Sequence, residues 1–351
     1  MNADPFANAH ITLRLLTDDT AAAWDAFVDN CPEATFFHRA GWRTVIENAF
    51  GHRTHYYYAE RGGAIVGVLP LVEIKSLFFG HGLISNAFSV CGGPAAVDDT
   101  ARAALDALAA DLLERTRADY LEYRCPTRLN PDWMNREGLY ASFTGPLPDS
   151  EEANLKQIPR KQRAVVRKAI ESSLAWRIDS DVGDLHRLYA VSVRNLGTPV
   201  FGKSYFASLR AVFGSACDIL TVCDKGRPVA SVLNFYFRNR VMPFYTGSLP
   251  EARRLGANDL MYWRLMRHAV DRGCREFDFG RSKIGTGPYA FKRNWGFEPK
   301  PIVHQFLTRA GIAAPNLTPL NPKFRLLIAA WKRLPLPVAN LIGPQIVRNI
   351  G

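Results

Sequence analysis

The sequence predicts an α/β protein in which two similar domains follow one another, each with a mixed, mostly antiparallel sheet flanked by helices. The length of 351 residues suits about two domains of ordinary size. Hydrophobic residues make up 47% of the chain and charged residues 22%, which is the composition of a globular protein. The third observation is an internal repeat, and it gives the domains their order.

The repeat is visible as two stretches that align without a gap. AFGHRTHYYYAERGGAIVG, from Ala49, matches VFGSACDILTVCDKGRPVA, from Val212. Gly63 meets Gly226, and both predict a tight turn between two β-rich runs, since such hairpin turns require positive φ. A helical run precedes each copy, and a longer amphipathic helix and a short strand follow it, DYLEYR in the first half and REFDFGR in the second. We interpret this order as a duplication.

Composition also indicates where the domains end. The segment GPLPDSEE, at residues 145–152, combines glycine, proline and acidic residues as exposed linkers do. We therefore expect domains at residues 1–148 and 149–309. Residues 310–351 are proline-rich and basic, have no counterpart in the first half, and are expected to form an appended tail.

The charge balance predicts a polyanionic partner. A net charge of +11 and a pI of about 9.5 suit a nucleotide, tRNA, a phosphorylated glycan carrier or an anionic membrane face. The alternative is a chain from a proteome that is basic throughout. Helix-turn-helix, RRM and zinc-finger patterns are absent from the sequence, so DNA is not an expected partner.

Targeting and cysteine patterns point to a cytoplasmic protein without metal. The start, MNADPFANAH, has no apolar run typical of a secretory signal. No segment reaches the roughly 18 apolar residues of a spanning helix. The six cysteines show no CxxC pair and the histidines no metal-ligand spacing, so we expect reduced thiols and no metal site.

The segment FDFGRSKIGTGPYAFKRNWGF, residues 277–297, carries the most specific chemical pattern. Asp278 alternates with phenylalanines and should face away from them on a strand. Tyr289 and Lys292 follow after a glycine-containing loop. Asp278 and Tyr289 are the expected proton-transfer groups, and Lys292 is the expected cation at a developing oxyanion. The neighbours expected to bind substrate are Arg281, Ser282 and Trp295.

A second pattern predicts a phosphate-binding loop. The strand VMPFYTGS is followed by LPEARRLGAN and by a helix that should begin near Asn258 or Asp259, either of which is a good N-cap. Exposed amides at a helix start attract anions. The spacing resembles a degenerate pyrophosphate loop of GNAT acetyltransferases, but an ordinary loop with solvated arginines gives the same pattern. The expected donor-binding residues are Arg253, Arg254, Gly256, Ala257 and Asn258.

Taken together, the segment from Asp278 to Phe297 resembles the signature of FemAB-related and other GNAT-like transferases, most of all the FemAB subgroup associated with PEP-CTERM and exosortase systems. The resemblance implies a duplicated GNAT fold. It also implies transfer of an acyl group from acyl-CoA, or of an amino acid from aminoacyl-tRNA, to an amine on a small molecule, glycan or peptide. Lys292 matches a lysine thought to act at the reacting carbonyl. The first half lacks this signature, so we expect one active site, in the second domain.

The same resemblance extends to two further segments and leaves one alternative function open. A basic run at residues 154–170 implies contact with a phosphorylated substrate, although a solvated helical face is equally consistent with it. The segment RNLGTPVFGKSYF lines the acceptor cleft or only caps the next helix. The alternative function is a non-catalytic binding or scaffold protein of an exosortase-type system. The residues concerned are Lys161, Arg163 and Arg167, and then Arg194, Lys203 and Tyr205.

The tail contains a basic amphipathic segment with two alternative fates. From Asn321 onward, apolar Phe324, Leu327, Ile328 and Trp331 alternate with lysines and arginines. We expect this segment to pack onto the protein core. The alternative is peripheral contact with the anionic face of the inner membrane.

Overall fold

The computed structural model describes residues 10–76, 79–314 and 325–351. The elements up to residue 136 are β1 (Thr12–Leu15), α1 (Ala21–Asn30), α2 (Gly41–Phe50), β2 (Arg53–Arg61), β3 (Ala64–Ser76), β4 (Gly80–Ser85), β5 (Ala95–Ala96), α3 (Asp99–Thr116), β6 (Tyr120–Cys125) and β7 (Met134–Arg136).

The remaining elements are β8 (Tyr140–Pro146), α4 (Glu151–Gln157), α5 (Arg160–Ile170), β9 (Ala175–Ile178), α6 (Gly183–Leu196), α7 (Lys203–Phe213), β10 (Cys217–Asp224), β11 (Arg227–Phe237), β12 (Arg240–Ser248), α8 (Ala252–Leu255), α9 (Ala257–Asp271), β13 (Glu276–Lys283), α10 (Gly287–Asn294), β14 (Pro299–Pro301), β15 (Val303–Thr308), α11 (Arg325–Trp331) and α12 (Leu336–Val347).

The chain forms two compact units, each of which has its own mixed sheet. The first unit contains residues 1–137, 302–317 and 349–351, and the second contains residues 138–301 and 318–348. The strand order is β1-β2-β3-β4-β6-β15-β7 in the first sheet, with β5 added on β3, and β14-β8-β13-β12-β11-β10-β9 in the second. The predicted α/β class and the tandem architecture are confirmed.

The repeat also appears in the pairing of the strands. β2 and β3 form an antiparallel hairpin in the first unit, as β10 and β11 do in the second. Gly63 has a φ of +82° and Gly226 a φ of +80°, as the two turns require. In each unit the next strand then pairs in parallel with the strand that follows the long helix, β4 with β6 and β12 with β13.

The units divide the chain at different residues from those we expected. β8, which lies before the expected boundary at 148/149, pairs with β13 in the second sheet. β15, which precedes the expected boundary at 309/310, pairs with β6 in the first sheet. Each expected domain thus supplies one strand to the sheet of the other unit. For this reason the boundaries expected from linker composition differ from the limits of the two units.

The tail helices belong to the second unit. Trp331 is buried, and its Nε1 donates to the Thr198 carbonyl at 3.1 Å. α12 buries Ala339, Gly343 and Val347, which share one helix face. Phe324 lies outside the described residues. Among the helices that the structure describes, none is both long and apolar enough to cross a bilayer.

Candidate active site

In the second unit two neighbouring strands diverge and open the sheet. β12 and β13 run parallel and pair at Arg240 with Glu276 and at Val241 with Phe277, and the described residues show no further pair between them. Past this point β13 continues in its pairing with β8, while β12 continues with β11. Peptide groups of both strands therefore face a gap instead of each other.

Irregular positions on both strands lie beside the gap. On β12, Tyr245 pairs with Leu233 and Pro243 with Asn234, which leaves Phe244 as an extra residue. On β13 the register against β8 shifts between Asp278 and Arg281. Such bulges bend a strand and end its regular pairing. Gly280 has a φ of +67° within this shift, a conformation that suits glycine.

Lys292 places its ammonium at the bulge of β13. It lies on α10, which begins after Thr286 with a proline in its first turn. Nζ donates to the Gly280 carbonyl at 3.1 Å and to the Arg281 carbonyl at 3.0 Å, and the residue is only 9% exposed. Nζ is also 5.6 Å from the ring centroid of Phe143. Lys292 is thus a buried residue of a helix and not an exposed cation.

This environment makes Lys292 titrate near neutral pH. Burial lowers its pKa to about 7; the negative charge of Asp278 opposes the shift, and Arg281 adds to it. An ammonium has three donors, and the two carbonyls use two of them. No third acceptor is recorded among the described residues, so one N–H remains for a substrate oxygen.

Asp278 lies on the other face of β13, as the alternation predicted. Phe277 and Phe279 are buried in the core, whereas the Asp278 carboxylate accepts from the Gly280 backbone amide at 2.8 Å. Burial raises the pKa of Asp278, an effect that the Gly280 bond, Arg240 and Lys292 only partly offset. A carboxyl group with a raised pKa is a better base near neutral pH than an ordinary aspartate.

The register of β8 and β13 assigns the remaining predicted side chains to faces. Ser282 pairs with Ala141, a core residue on the side of α10, and directly opposite residues share a face. Ser282 is 6% exposed, and its hydroxyl has no hydrogen-bond partner among the described residues. Tyr289 lies on this side too, edge-to-face with Phe143 at 5.3 Å.

Arg281 points to the opposite face, where Asp278 also lies. Its guanidinium stacks on the ring of Tyr140 at 4.9 Å, and its charge also acts on Tyr245 of β12. The structure therefore places Lys292, Ser282 and Tyr289 on one side of the opening, and Asp278 and Arg281 on the other. The lysine ammonium lies between the two groups because its acceptors are carbonyls of the bulge itself.

Two predicted substrate-binding residues prove to be core residues. Trp295 is buried among Tyr262, Phe279 and Phe291. Tyr205 is buried, and its hydroxyl lies 2.9 Å from that of Tyr245. Neither side chain reaches a surface that a substrate could contact, so both assignments are corrected. Aromatic residues near a motif are more often packed than exposed, because burying a large ring is favourable.

The predicted phosphate loop forms, but with a different helix start. α9 begins at Ala257 after Gly256, which has a φ of +72°, and no side chain caps the helix. The expected cap by Asn258 or Asp259 is therefore wrong. Asp259 instead accepts from Gln162 of α5 at 2.6 Å, and burial raises its pKa.

Side chains around this helix start differ in exposure. Arg253 and Arg254 are exposed on α8, Ala257 is buried, and Asn258 is half-buried. The Asn258 side-chain oxygen is buried without a hydrogen-bond partner among the described residues. Cationic groups and an uncapped helix start fit an anionic group such as a diphosphate.

The other basic residues divide into exposed cations and structural ones. Lys161 and Arg167 are exposed on α5. Arg163 is occupied, because its guanidinium donates to the carbonyls of Lys156 and Ile158 at the end of α4. Arg194 donates to the carbonyl of Leu334. Lys203 is exposed at the start of α7.

Sequence reasoning missed the contribution of β8 to this site. The Phe143 ring packs against Tyr289 and contacts the Lys292 ammonium. The Arg281 guanidinium stacks on the Tyr140 ring. The signal was present, since Ala141 and Phe143 alternate with polar residues in YASFTGP, a strand pattern.

Among the described residues, no group of three His, Cys, Asp or Glu side chains suits a metal ion.

Comparison with known proteins agrees with the observed fold. Residues 154–293 match the family model of the acetyltransferase (GNAT) domain. No curated relative matches the sequence. Among solved structures, FemX is similar with a TM-score of 0.66 at 15% identity, over 83% of this chain and 96% of FemX.

Two further structures show the same arrangement over most of the chain. A tandem GNAT protein from the clavulanic acid biosynthesis pathway has a TM-score of 0.54 at 15% identity, over 87% of this chain and 100% of its own. L-PGS from Bacillus licheniformis has a TM-score of 0.54 at 12% identity, over 96% and 98%. At such identities the likeness concerns the fold, whereas the family model supports acyltransferase activity of the GNAT type. Residues 154–293 thus resemble a GNAT acetyltransferase domain, and the chain has the fold of FemX and of a tandem GNAT protein, so the predicted resemblance to FemAB-like and other GNAT proteins is confirmed at this level. The narrower resemblance to the subgroup of PEP-CTERM and exosortase systems stays a prediction.

Proposed function

We propose that this protein transfers an acyl or aminoacyl group to an amine acceptor at the opening between β12 and β13. The observation that carries the proposal is the buried ammonium of Lys292, fixed by two carbonyls of the β13 bulge and with a pKa of about 7. A preorganised cation in a site poor in water stabilises a developing oxyanion far better than an exposed one. Both thioester and ester donors pass through such an oxyanion.

The reaction is a direct transfer. The amine nitrogen attacks the donor carbonyl carbon, and the carbonyl electrons move to the oxygen beside Lys292. Collapse forms the amide and breaks the bond from carbon to the leaving group, which is sulfur in acyl-CoA and ribose oxygen in aminoacyl-tRNA. Asp278 takes the proton of the attacking amine, because its raised pKa makes it a competent base. The leaving sulfur or oxygen then takes up this proton, directly from Asp278 or through water, which returns Asp278 to its ionised form.

The donor is acyl-CoA or aminoacyl-tRNA, and both carry phosphates. Arg253 and Arg254 beside the uncapped start of α9 support a phosphate site, and Lys161 and Arg167 extend the positive surface on α5. The sequence resemblance to FemAB proteins of exosortase systems supports an acceptor amine of cell-envelope or exopolysaccharide chemistry, on a sugar or a peptide. It also supports a cytoplasmic location.

The test measures binding and turnover separately. The purified protein is titrated at fixed low salt with acetyl-CoA and with charged tRNA, alongside the Arg253→Ala/Arg254→Ala variant, and transfer to a panel of amines is followed by release of CoA or loss of aminoacyl-tRNA. Saturable binding that weakens in the variant, together with turnover that Lys292→Met lowers by about 10²–10³, supports the proposal and identifies the donor.

Two other outcomes contradict it. Binding without turnover to any amine favours a binding protein that has kept the fold. If neither donor binds, the assignment of this loop to donor phosphates is wrong. Arg53→Ala/Arg115→Ala, on exposed positions of the first unit, removes the same number of positive charges and serves as a matched control for nonspecific loss of affinity.

A further inference from the structure

The tail helices expose apolar side chains on the faces that point away from the protein. On α11, Leu326 is 84% exposed and Leu327 67%, and on α12 Leu341 is 76% exposed, beside Val338 and Ile342. We call these five residues the outer tail face. On α12, Val338, Leu341 and Ile342 are three and four residues apart and therefore share one helix face. Exposed apolar residues grouped in this way mark an interaction surface.

Packing on the inner faces fixes which residues point outward. On α11, Trp331 is anchored to the Thr198 carbonyl, and a Cβ at Gly197 would meet Ile328. On α12, the backbone at Gly343 packs so closely on Val200 that a Cβ there would come within 2.7 Å of it. Both helices are therefore docked by one side, so their outer leucines do not belong to the core.

The charge of the tail indicates what covers this face. Residues 310–351 contain five basic residues and no acidic ones. Lys332 and Arg333 are exposed between the two helices and have no ion-pair partner among the described residues. Two copies of the tail offer each other positive charges and no negative ones, so electrostatics disfavours contact between two such faces. A cationic turn that directly follows the exposed leucines of α11 suits an anionic lipid surface.

We propose that the outer tail face docks the protein on the surface of an anionic lipid bilayer. The leucines enter the boundary between headgroups and acyl chains, and Lys332 and Arg333 contact the lipid phosphates. With 7 and 12 residues, α11 and α12 lie on the surface and do not span it. This inference is independent of the proposed transfer reaction.

The experiment uses the full chain and vesicles that can be separated by flotation. Binding is compared for phosphatidylcholine vesicles and for vesicles containing phosphatidylglycerol, for the wild type and for Leu327→Gln/Leu341→Gln and Lys332→Gln/Arg333→Gln. We expect binding only with phosphatidylglycerol, weakening with added salt, and a loss of about tenfold or more in affinity for each double variant. The control Val97→Gln/Met134→Gln removes two exposed apolar residues of the first unit and should bind as the wild type does.

Folding and oligomeric state are measured on the same samples. The substituted side chains are exposed, so the thermal unfolding midpoint should not change. Absence of wild-type binding to anionic vesicles, or unchanged binding in the leucine variant, overturns the proposal. It is also overturned if the wild type is a dimer that Leu327→Gln/Leu341→Gln converts to a monomer, since the face would then be an interface between two copies.

Discussion

Glu122 of the first unit and Asp278 of the second occupy matching positions on the repeated strand, but their surroundings differ. Glu122 accepts from Arg124 at 3.0 Å and from His304 Nδ1 at 2.7 Å. Burial alone would raise the pKa of Glu122, but Arg124 and His304 outweigh it and lower the pKa well below the usual range. The pKa of Asp278 is raised, because its neighbours do not compensate its burial. One acid is fixed as a permanent anion and the other can exchange a proton.

The start of the long helix is capped by a carboxylate in the first unit and has no side-chain cap in the second. In the first unit the Asp98 carboxylate caps α3 by accepting from the Ala101 amide, and it also pairs with Arg61. In the second unit α9 starts at Ala257, after Gly256, without a side-chain cap. The second unit therefore has an acid that can exchange a proton, Asp278, and an uncapped helix start. In the first unit the acids at the matching positions, Glu122 and Asp98, form ion pairs and a helix cap that stabilise the fold.

The largest expected effect is on stability in the first unit. Glu122→Gln leaves Arg124 and His304 buried without their anion, and removing one partner of such a group costs about 3–5 kcal/mol. Urea unfolding at neutral pH measures it. Asp111→Asn, in an exposed pair with Arg115 on α3, should cost less than about 1 kcal/mol. A Glu122→Gln protein of unchanged stability would remove the contrast between the two acids.

Lys292→Met should lower the rate of transfer by about 10²–10³, the typical loss when one donor to an oxyanion is removed. Methionine fills a similar volume in an apolar setting, so the variant should stay folded. Steady-state kinetics and circular dichroism measure the two properties. A folded variant with wild-type kcat would exclude Lys292 from the mechanism.

The low pKa of Lys292 predicts a pH-dependent stability in the second unit. The lysine titrates at about 7 in the folded protein and near 10.5 in the unfolded chain. Between these values the unfolded chain binds more protons, so the free energy of unfolding rises with pH, by up to about 1.4 kcal/mol per unit. Between pH 7 and 10 the free energy of unfolding of the wild type should therefore increase relative to that of Lys292→Met. A constant difference between them would show that the lysine has its ordinary pKa.

The smallest expected effect concerns the helix caps. Asp98→Ala should destabilise the protein by about 1–3 kcal/mol, through loss of the N-cap of α3 and of the ion pair with the buried Arg61, without changing transfer kinetics. Thermal unfolding and kcat/KM test the two parts of this prediction. A loss of activity in a stable Asp98→Ala protein would mean that the first unit also takes part in the reaction.

The duplication could be predicted because it depends on local patterns. The glycine turns, the alternation around Asp278 and the amphipathic helices are set by residues close in sequence. The exchange of β8 and β15 could not be predicted, since strand pairing between distant segments leaves no mark in linker composition. That is why the site residues of β8 were missed.

The candidate site was predicted in its residues but not in its environment. Lys292 was identified by its position in the motif, yet its burial depends on Phe143 from another strand and on carbonyls freed by a bulge. The assignment of Trp295 and Tyr205 to substrate binding was wrong because sequence spacing does not show which aromatic rings are enclosed by the core. The pKa of Lys292 follows from that enclosure and is not encoded locally.

The most direct test of the account is the pH dependence of transfer, measured with an acceptor amine whose own pKa lies well below the range scanned. The account predicts a bell-shaped pH profile. The rate rises with pH as the Asp278 carboxyl loses its proton, and it falls near pH 7 as the Lys292 ammonium loses a proton. Lys292→Arg, whose guanidinium stays charged, should lack the falling limb. A wild-type rate that keeps rising above pH 7, or a falling limb that persists in Lys292→Arg, would contradict the role of the lysine ammonium.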